Sequence, residues 1–164
     1  MKNMSTTAWA QQKAQTLVCD IMKQMAGIEL YRQDVSHPEE TIAQFGSIYG
    51  VTRGTYNIQM QFRASWELFY RLAKNMIGDE PEDDSEVREY AVEFFNVLCG
   101  RLACEFYEVT RGLTGFSPPR YEHPPHITNI AASEPVEILY FSSDQQEQAM
   151  LIFTSIPSAN IEEE

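Results

Sequence analysis

Between Thr7 and Ala26 apolar side chains recur at Ala10, Ala14, Leu17, Val18, Ile21 and Met25, a spacing that puts them on one face of a helix. Ser5 or Thr6 stands where such a helix is capped and Gly27 where it stops. An irregular stretch with His37 and Pro38 follows, and Thr41 to Tyr49 then carries the β-branched and aromatic residues of a strand. Gly50 to Gly54 reads as a turn. Beyond it Tyr56, Ile58, Met60 and Phe62 alternate with the polar Thr55, Asn57, Gln59 and Gln61, and this period of two predicts a half-buried strand. The two runs are expected to pair as a hairpin with one face on the core.

Ser65 is placed to cap a second helix whose buried face is Leu68, Phe69, Leu72, Ala73 and Met76, with Gly78 at its end. The acidic turn Asp79 to Asp84, with Pro81 inside it, sets negative charge where the N-terminal end of a helix dipole favours it. A third and longest helix is expected from about Ser85 to Arg111, ended by Gly112. Strands are expected over Gly115 to Glu122, His126 to Ala131, Val136 to Phe141 and Ala149 to Ile156. The last two are apolar on both faces, as central strands are, and the polar loop Ser142 to Gln148 joins them. Pro118 and Pro119 are expected to set the start of a strand. His123 and His126 bracket Pro124 and Pro125, which favours an extended loop over a metal pair. The predicted order is α-β-β-α-α-β-β-β, an α+β fold with helices packed on a mostly antiparallel sheet.

A chain of 164 residues is the right size for one core, so residues 1–164 are read as a single domain. Hydrophobic and aromatic fractions of 43% and 12% exclude a disordered chain, and no apolar run reaches the roughly 20 residues of a membrane span. The N-terminus lacks the apolar stretch of a secretory signal, and three cysteines without CxxC spacing fit free thiols in a reducing cytoplasm. A net charge of −12 argues against nucleic acid as a partner; such acidity ordinarily reflects a solvated surface, and it would also favour a partner that presents a lysine only where a motif supports that reading.

On the third helix Val87, Ala91, Phe94, Leu98, Leu102 and Val109 group on one side, flanked by Phe95 and Phe106, and that side is the expected core face. Cys99 flanks it and is expected to be a small core residue. Glu89, Glu93, Asn96 and Gly100, spaced by four, three and four, form a second stripe nearly opposite. A polar stripe is ordinarily the solvent side of a helix, but Gly100 does not belong in a plain one. Glycine inside a helix costs about 1 kcal/mol relative to alanine, and on an outward face it leaves a flat spot for another surface. Tyr107 lies further along the same side and extends the stripe.

Here the chain resembles the CheC/CheX/FliY chemotaxis phosphatase family. Its members share a helix motif of Asp or Ser, three residues, Glu, two residues, Asn, then 22 residues and Pro. Glu93 and Asn96 supply the centre, and Pro119 follows Asn96 with the 22 residues 97–118 between them. The first position of the motif holds Glu89, which keeps a carboxylate at a different reach. The opening helix ending in Gly-Ile, the hairpin, Met76-Ile77-Gly78 and the Ser-Pro-Pro segment also have counterparts in CheX members. One Glu-x-x-Asn copy is present where CheC members usually carry two, so the resemblance is to the CheX branch.

The resemblance implies a cytoplasmic hydrolase acting on the aspartyl phosphate of a CheY-like receiver. Asn96 would orient the attacking water and Glu93 would pair with the receiver's lysine. Glu89, Gly100 and Tyr107 would line the contact, with Pro119 as the structural member of the motif. It implies a homodimer and no cofactor on this chain, with Mg²⁺ held by the receiver. Two rivals remain: a non-catalytic receiver-binding or dimeric scaffold, and a phosphatase of a regulator outside chemotaxis.

Overall fold

The computed structural model describes residues 6–34, 46–54, 58–112, 114–122 and 136–155. Three helices are seen there: α1 (Thr6–Ala26), α2 (Trp66–Ile77) and α3 (Asp84–Thr110). The strands are β1 (Leu30–Gln33), β2 (Gly46–Gly54), β3 (Ile58–Ala64), β4 (Thr114–Phe116), β5 (Arg120–Glu122), β6 (Val136–Ser143) and β7 (Gln148–Ser155). The expected strand over His126 to Ala131 lies outside the described residues, as do residues 41–45 of the expected strand that ends at Tyr49.

Local chemistry explains the helix ends. Ser65 caps α2, its hydroxyl accepting from the Leu68 N–H at 3.4 Å. Gly78 closes that helix in the left-handed conformation at φ 83°, its N–H donating to the Lys74 carbonyl. Gly27 does the same for α1 at φ 65°. The Asp83 carboxylate caps α3 by accepting from the Glu86 N–H at 2.9 Å, and the Glu86 carboxylate accepts from the Glu82 N–H at 2.8 Å. The far end of α3 differs from expectation, because Arg111 and not Gly112 takes the left-handed cap, at φ 58°.

The strands form one antiparallel sheet in the order β1-β6-β7-β3-β2-β4, with β5 also paired to β2. Alternation then sorts the side chains. Met60, Phe62, Leu151, Phe153, Leu139 and Phe141 point to the face that carries the helices. On the opposite face Met150 and Ile152 pack with Ile138 and Tyr140, which is why β6 and β7 are apolar on both sides. The helices lay their apolar stripes on the first face: Ala14, Val18 and Ile21 from α1, Leu68, Phe69 and Leu72 from α2, and Val87, Phe94, Leu98 and Leu102 from α3. This is the α+β architecture expected from the pattern.

Three details depart from it. Gly50 to Gly54 is not a turn: β2 runs on to Gly54, paired to β3 through Val51↔Gln59 and to β4 from Thr52↔Phe116 to Gly54↔Thr114. The run Gly115 to Glu122 divides into β4 and β5, because Pro118 and Pro119 lack the N–H a ladder needs, and Ser117 bridges the gap with its N–H donating to the Val51 carbonyl at 2.8 Å. β1 is an additional edge strand, held by β6 in the register Leu30↔Ser143 to Gln33↔Tyr140.

Candidate active site

Helix α3 is pinned to the sheet by its aromatic residues. The Phe94 ring meets Phe62 of β3 edge-on at 5.3 Å between centroids, and Phe62 in turn meets Phe69 of α2 at 6.0 Å. Trp9 of α1 packs on Phe106 at 5.0 Å. Polar pairs lock the flank toward α1, where Arg101 Nη2 donates to Gln24 Oε1 at 2.9 Å and Lys13 lies 3.5 Å from Glu105. With Phe94, Phe95 and Leu98 fully buried, the 100° per residue of the helix turns the intervening positions outward.

Glu89, Glu93, Asn96, Gly100 and Tyr107 are accordingly all exposed, on one face of α3. Glu93 and Asn96 stand about 4.5 Å apart along the axis. Val109, expected in the core stripe, is 61% exposed. The helix outruns its support there, since Phe106 is the last of its residues described as buried. Pro119 sits directly before β5, whose Arg120 pairs with Tyr49 of β2, so that the proline terminates the gap after Ser117.

Two features of this face are not evident from spacing alone. The Arg111 guanidinium lies over the Tyr107 ring at 5.8 Å, which gives the C-terminal end of the stripe an aromatic body and a positive charge. The signal for it was an arginine four residues after a tyrosine. Next to Gly100 a Cβ would meet nothing within 4 Å, so the chain's own packing does not ask for glycine there.

Two of the three thiols are poorly placed for nucleophilic chemistry. Burial pushes the Cys99 thiol far above its usual range, and Cys19 is raised too, first by burial and then by Asp20 and Glu29. Cys104 is exposed on α3. Among the described residues no group of three His, Cys, Asp or Glu side chains is placed to hold a metal ion. None of the described helices is long and apolar enough to cross a membrane. What the exposed stripe offers is two carboxylates that can pair with a cation and one carboxamide that can both accept and donate.

An α+β protein with a polar stripe on the outward face of its longest helix is the class defined so far. No protein-family model and no curated protein matches the chain. Solved structures do match. CheX from Vibrio vulnificus superposes with a TM-score of 0.76 at 18% identity, over 92% of this chain and 99% of that one. A CheC-like superfamily protein from Shewanella sp. PV-4 gives 0.72 at 15%, over 94% and 100%. CheX from Borrelia burgdorferi, solved in complex with CheY, BeF3 and Mg²⁺, gives 0.69 at 14%, over 88% and 96%. The chain therefore has the CheX/CheC fold.

Proposed function

We propose that this protein is a cytoplasmic phosphatase for the phospho-aspartate of a CheY-like response regulator, with residues 1–164 acting as one CheX-like unit. The observation that carries the reading is the outward pairing of Glu93 and Asn96 on α3, with Pro119 at the motif's spacing, in a chain with the CheX fold.

The reaction adds water in line to phosphorus while the bond from phosphorus to the aspartyl oxygen breaks, giving inorganic phosphate and a free carboxylate. Asn96 Oδ1 accepts a hydrogen bond from that water and Nδ2 donates toward the phosphoryl oxygens, so the side chain contributes positioning, as the water-orienting glutamine does in GTPases. Glu93, one turn earlier, pairs with the receiver's lysine and sets the register of docking; Glu89 assists at the rim. The Mg²⁺ is assigned to the receiver and not to this chain, an assignment with which the Mg²⁺ and BeF3 contained in the Borrelia CheX complex with CheY are consistent. The test is decay of a purified phosphorylated CheY-like regulator with and without this protein; an unchanged rate rejects the activity.

A second reading rests on Glu89, which stands where the motif has Asp or Ser. In that reading the same face binds a receiver without hydrolysing its phosphoryl group. Binding without acceleration in the same assay selects it. We also assign a homodimer formed along a free sheet edge, since β1 leaves one side of its backbone unpaired by any described strand. Light scattering that gives only monomer at micromolar concentration rejects it.

A further inference from the structure

A groove runs along α2 on the side turned toward the β6–β7 turn. Its wider part, a cavity of about 510 Å³, has Trp66, Glu67, Tyr70 and Lys74 on the helix wall and Gln145 and Glu147 on the turn wall. Lys74 and Asn75 also line a second cavity of about 390 Å³, which continues the groove past Gly78 to Asp79 and Glu80. Both volumes fall in the range of ligand sites. No residue of α3 lines either one, so the groove is distinct from the face that carries Glu93 and Asn96.

The two cations of this groove are matched within the chain, while two of its four carboxylates are not. Arg71 donates from Nε to Glu147 at 2.9 Å and from Nη2 to Asp144 at 2.7 Å, and Lys74 lies 2.7 Å from Glu80. Glu67 and Asp79, at the two ends, have no cation within ion-pair distance among the described residues. Close to the Glu67 end stand two aromatic rings. Trp66 and Tyr70 are one turn apart on α2, and the Tyr70 hydroxyl donates to Glu80, which fixes that ring. Trp66 rests partly buried against the core and turns its remaining surface to the groove. Among the described residues nothing accepts from its indole N–H. Asn75 donates from Nδ2 to the Ala26 carbonyl at 2.8 Å, which leaves Oδ1 as an acceptor.

We propose that this groove binds an extended basic segment of a partner protein, with an arginine on the Trp66 and Tyr70 rings against Glu67 and a second cation at Asp79. A guanidinium suits the first position, because it stacks on an aromatic face while its N–H groups reach a carboxylate. Asp79 comes twelve positions after Glu67, about 18 Å along the helix direction, which an extended chain covers in about five or six residues. The Trp66 indole N–H and Asn75 Oδ1 then meet a carbonyl and an N–H of that segment, groups that an extended backbone leaves open. An anion is not the fitting occupant, since Arg71 and Lys74 are already neutralised. A small free cation is the competing occupant; it fills the Glu67 end alone and leaves Asp79 unmatched. The inference does not rest on the receiver reading, because none of its residues lies on α3.

The experiment titrates the full chain by calorimetry with a short synthetic peptide of alanine and glycine that carries two arginines about six positions apart. The same peptide with glutamines for arginines, one with adjacent arginines, and arginine amide alone are the comparisons. The spaced peptide is expected to saturate the parent below about 1 mM, more weakly as salt rises, and the glutamine peptide not to bind. Glu67→Gln, Asp79→Asn and Trp66→Leu are each expected to weaken it roughly threefold. Glu108→Gln, which removes the same charge from the exposed side of α3, is expected to leave it unchanged. Glu67 and Asp79 are exposed, so their variants keep the fold and decide the question even if Trp66→Leu unfolds. No binding of the spaced peptide overturns the proposal. Equal weakening by Glu108→Gln overturns it as well, because the attraction would then be to the acidic surface at large. Equal binding of the adjacent-arginine peptide or of arginine amide overturns the extended segment and assigns the groove to a small cation.

Discussion

Gly50 of β2 and Phe95 of α3 meet at the boundary between sheet and helix, where a Cβ on the glycine would stand 3.3 Å from Phe95 Cε1. Phe116 Cδ1 at 3.6 Å and the Ser117 carbonyl at 3.7 Å close the other sides of that Cβ. Phe95 is the residue before Asn96, so this contact bears on how the proposed site is held. Gly50→Ala should overpack the boundary and cost about 1–3 kcal/mol in denaturant unfolding. Phe95→Leu added to it should recover part of the loss. A Gly50→Ala protein as stable as the parent would show that the ring moves aside freely.

The start of α3 depends on one exposed side chain. The Asp83 carboxylate accepts from the Glu86 N–H at 2.9 Å and lies at the positive end of the helix dipole. Asp83→Ala should cost about 1 kcal/mol and Asp83→Asn only a few tenths, because asparagine caps nearly as well. Unfolding curves of the two variants check it, and equal losses would assign the effect to charge alone.

The parts of the fold that were legible are those decided by neighbours in sequence. The stripe of α1, the Ser65 and Gly78 ends of α2 and the outward turn of Glu93 and Asn96 all follow from local period and capping. Strand β1 was not legible, because of its four residues only Leu30 is buried and its pairing is with β6, more than a hundred residues away. Gly50 to Gly54 misled for a related reason. Glycines there suggested a turn, whereas Gly50 lies within a strand on which Phe95 leans from a helix distant in sequence. At the end of α3 the glycine rule pointed to Gly112 and the chain used Arg111. The stripe's placement could be read from spacing; its chemical role rested on the family resemblance, since spacing alone describes any solvent face.

Arg71 of α2 ties the helix to the β6–β7 turn by donating from Nε to Glu147 Oε1 at 2.9 Å and from Nη2 to Asp144 Oδ1 at 2.7 Å. The hydrogen bond from Arg71 holds the Asp144 carboxyl below its ordinary range. A carboxyl depressed in the folded state stabilises the protein above its unfolded pKa, about 3.9, and that contribution is lost as pH falls through the folded value. Asp144→Asn should therefore cost less than about 1 kcal/mol at pH 7, since the pair is partly exposed, and the gap from the parent should narrow with salt and close in strong acid. Unfolding measured from pH 7 down to about pH 2.5 tests it. A gap that widens toward acid would reverse the sign and reject the pairing.

Glu93 and Asn96 share one exposed face but are assigned different work, and their alanine variants should separate it. If Asn96 orients the attacking water, Asn96→Ala should slow the chemical step by roughly 10² or more while the receiver still binds, as expected of an interaction made chiefly in the transition state. Glu93→Ala should weaken binding as well as rate. Its deficit should shrink as salt rises, because the lost contact is a charge pair already screened in the parent. Both side chains are exposed, so neither variant should unfold more readily than the parent by more than about 0.5 kcal/mol. The measurement is dephosphorylation of a Mg²⁺-loaded phospho-regulator by each variant, beside binding to the same regulator carrying BeF3. Should Asn96→Ala act as fast as the parent, the catalytic assignment fails. The receiver-binding scaffold would then be the better account of this face, because the docking role proposed for Glu93 does not depend on hydrolysis.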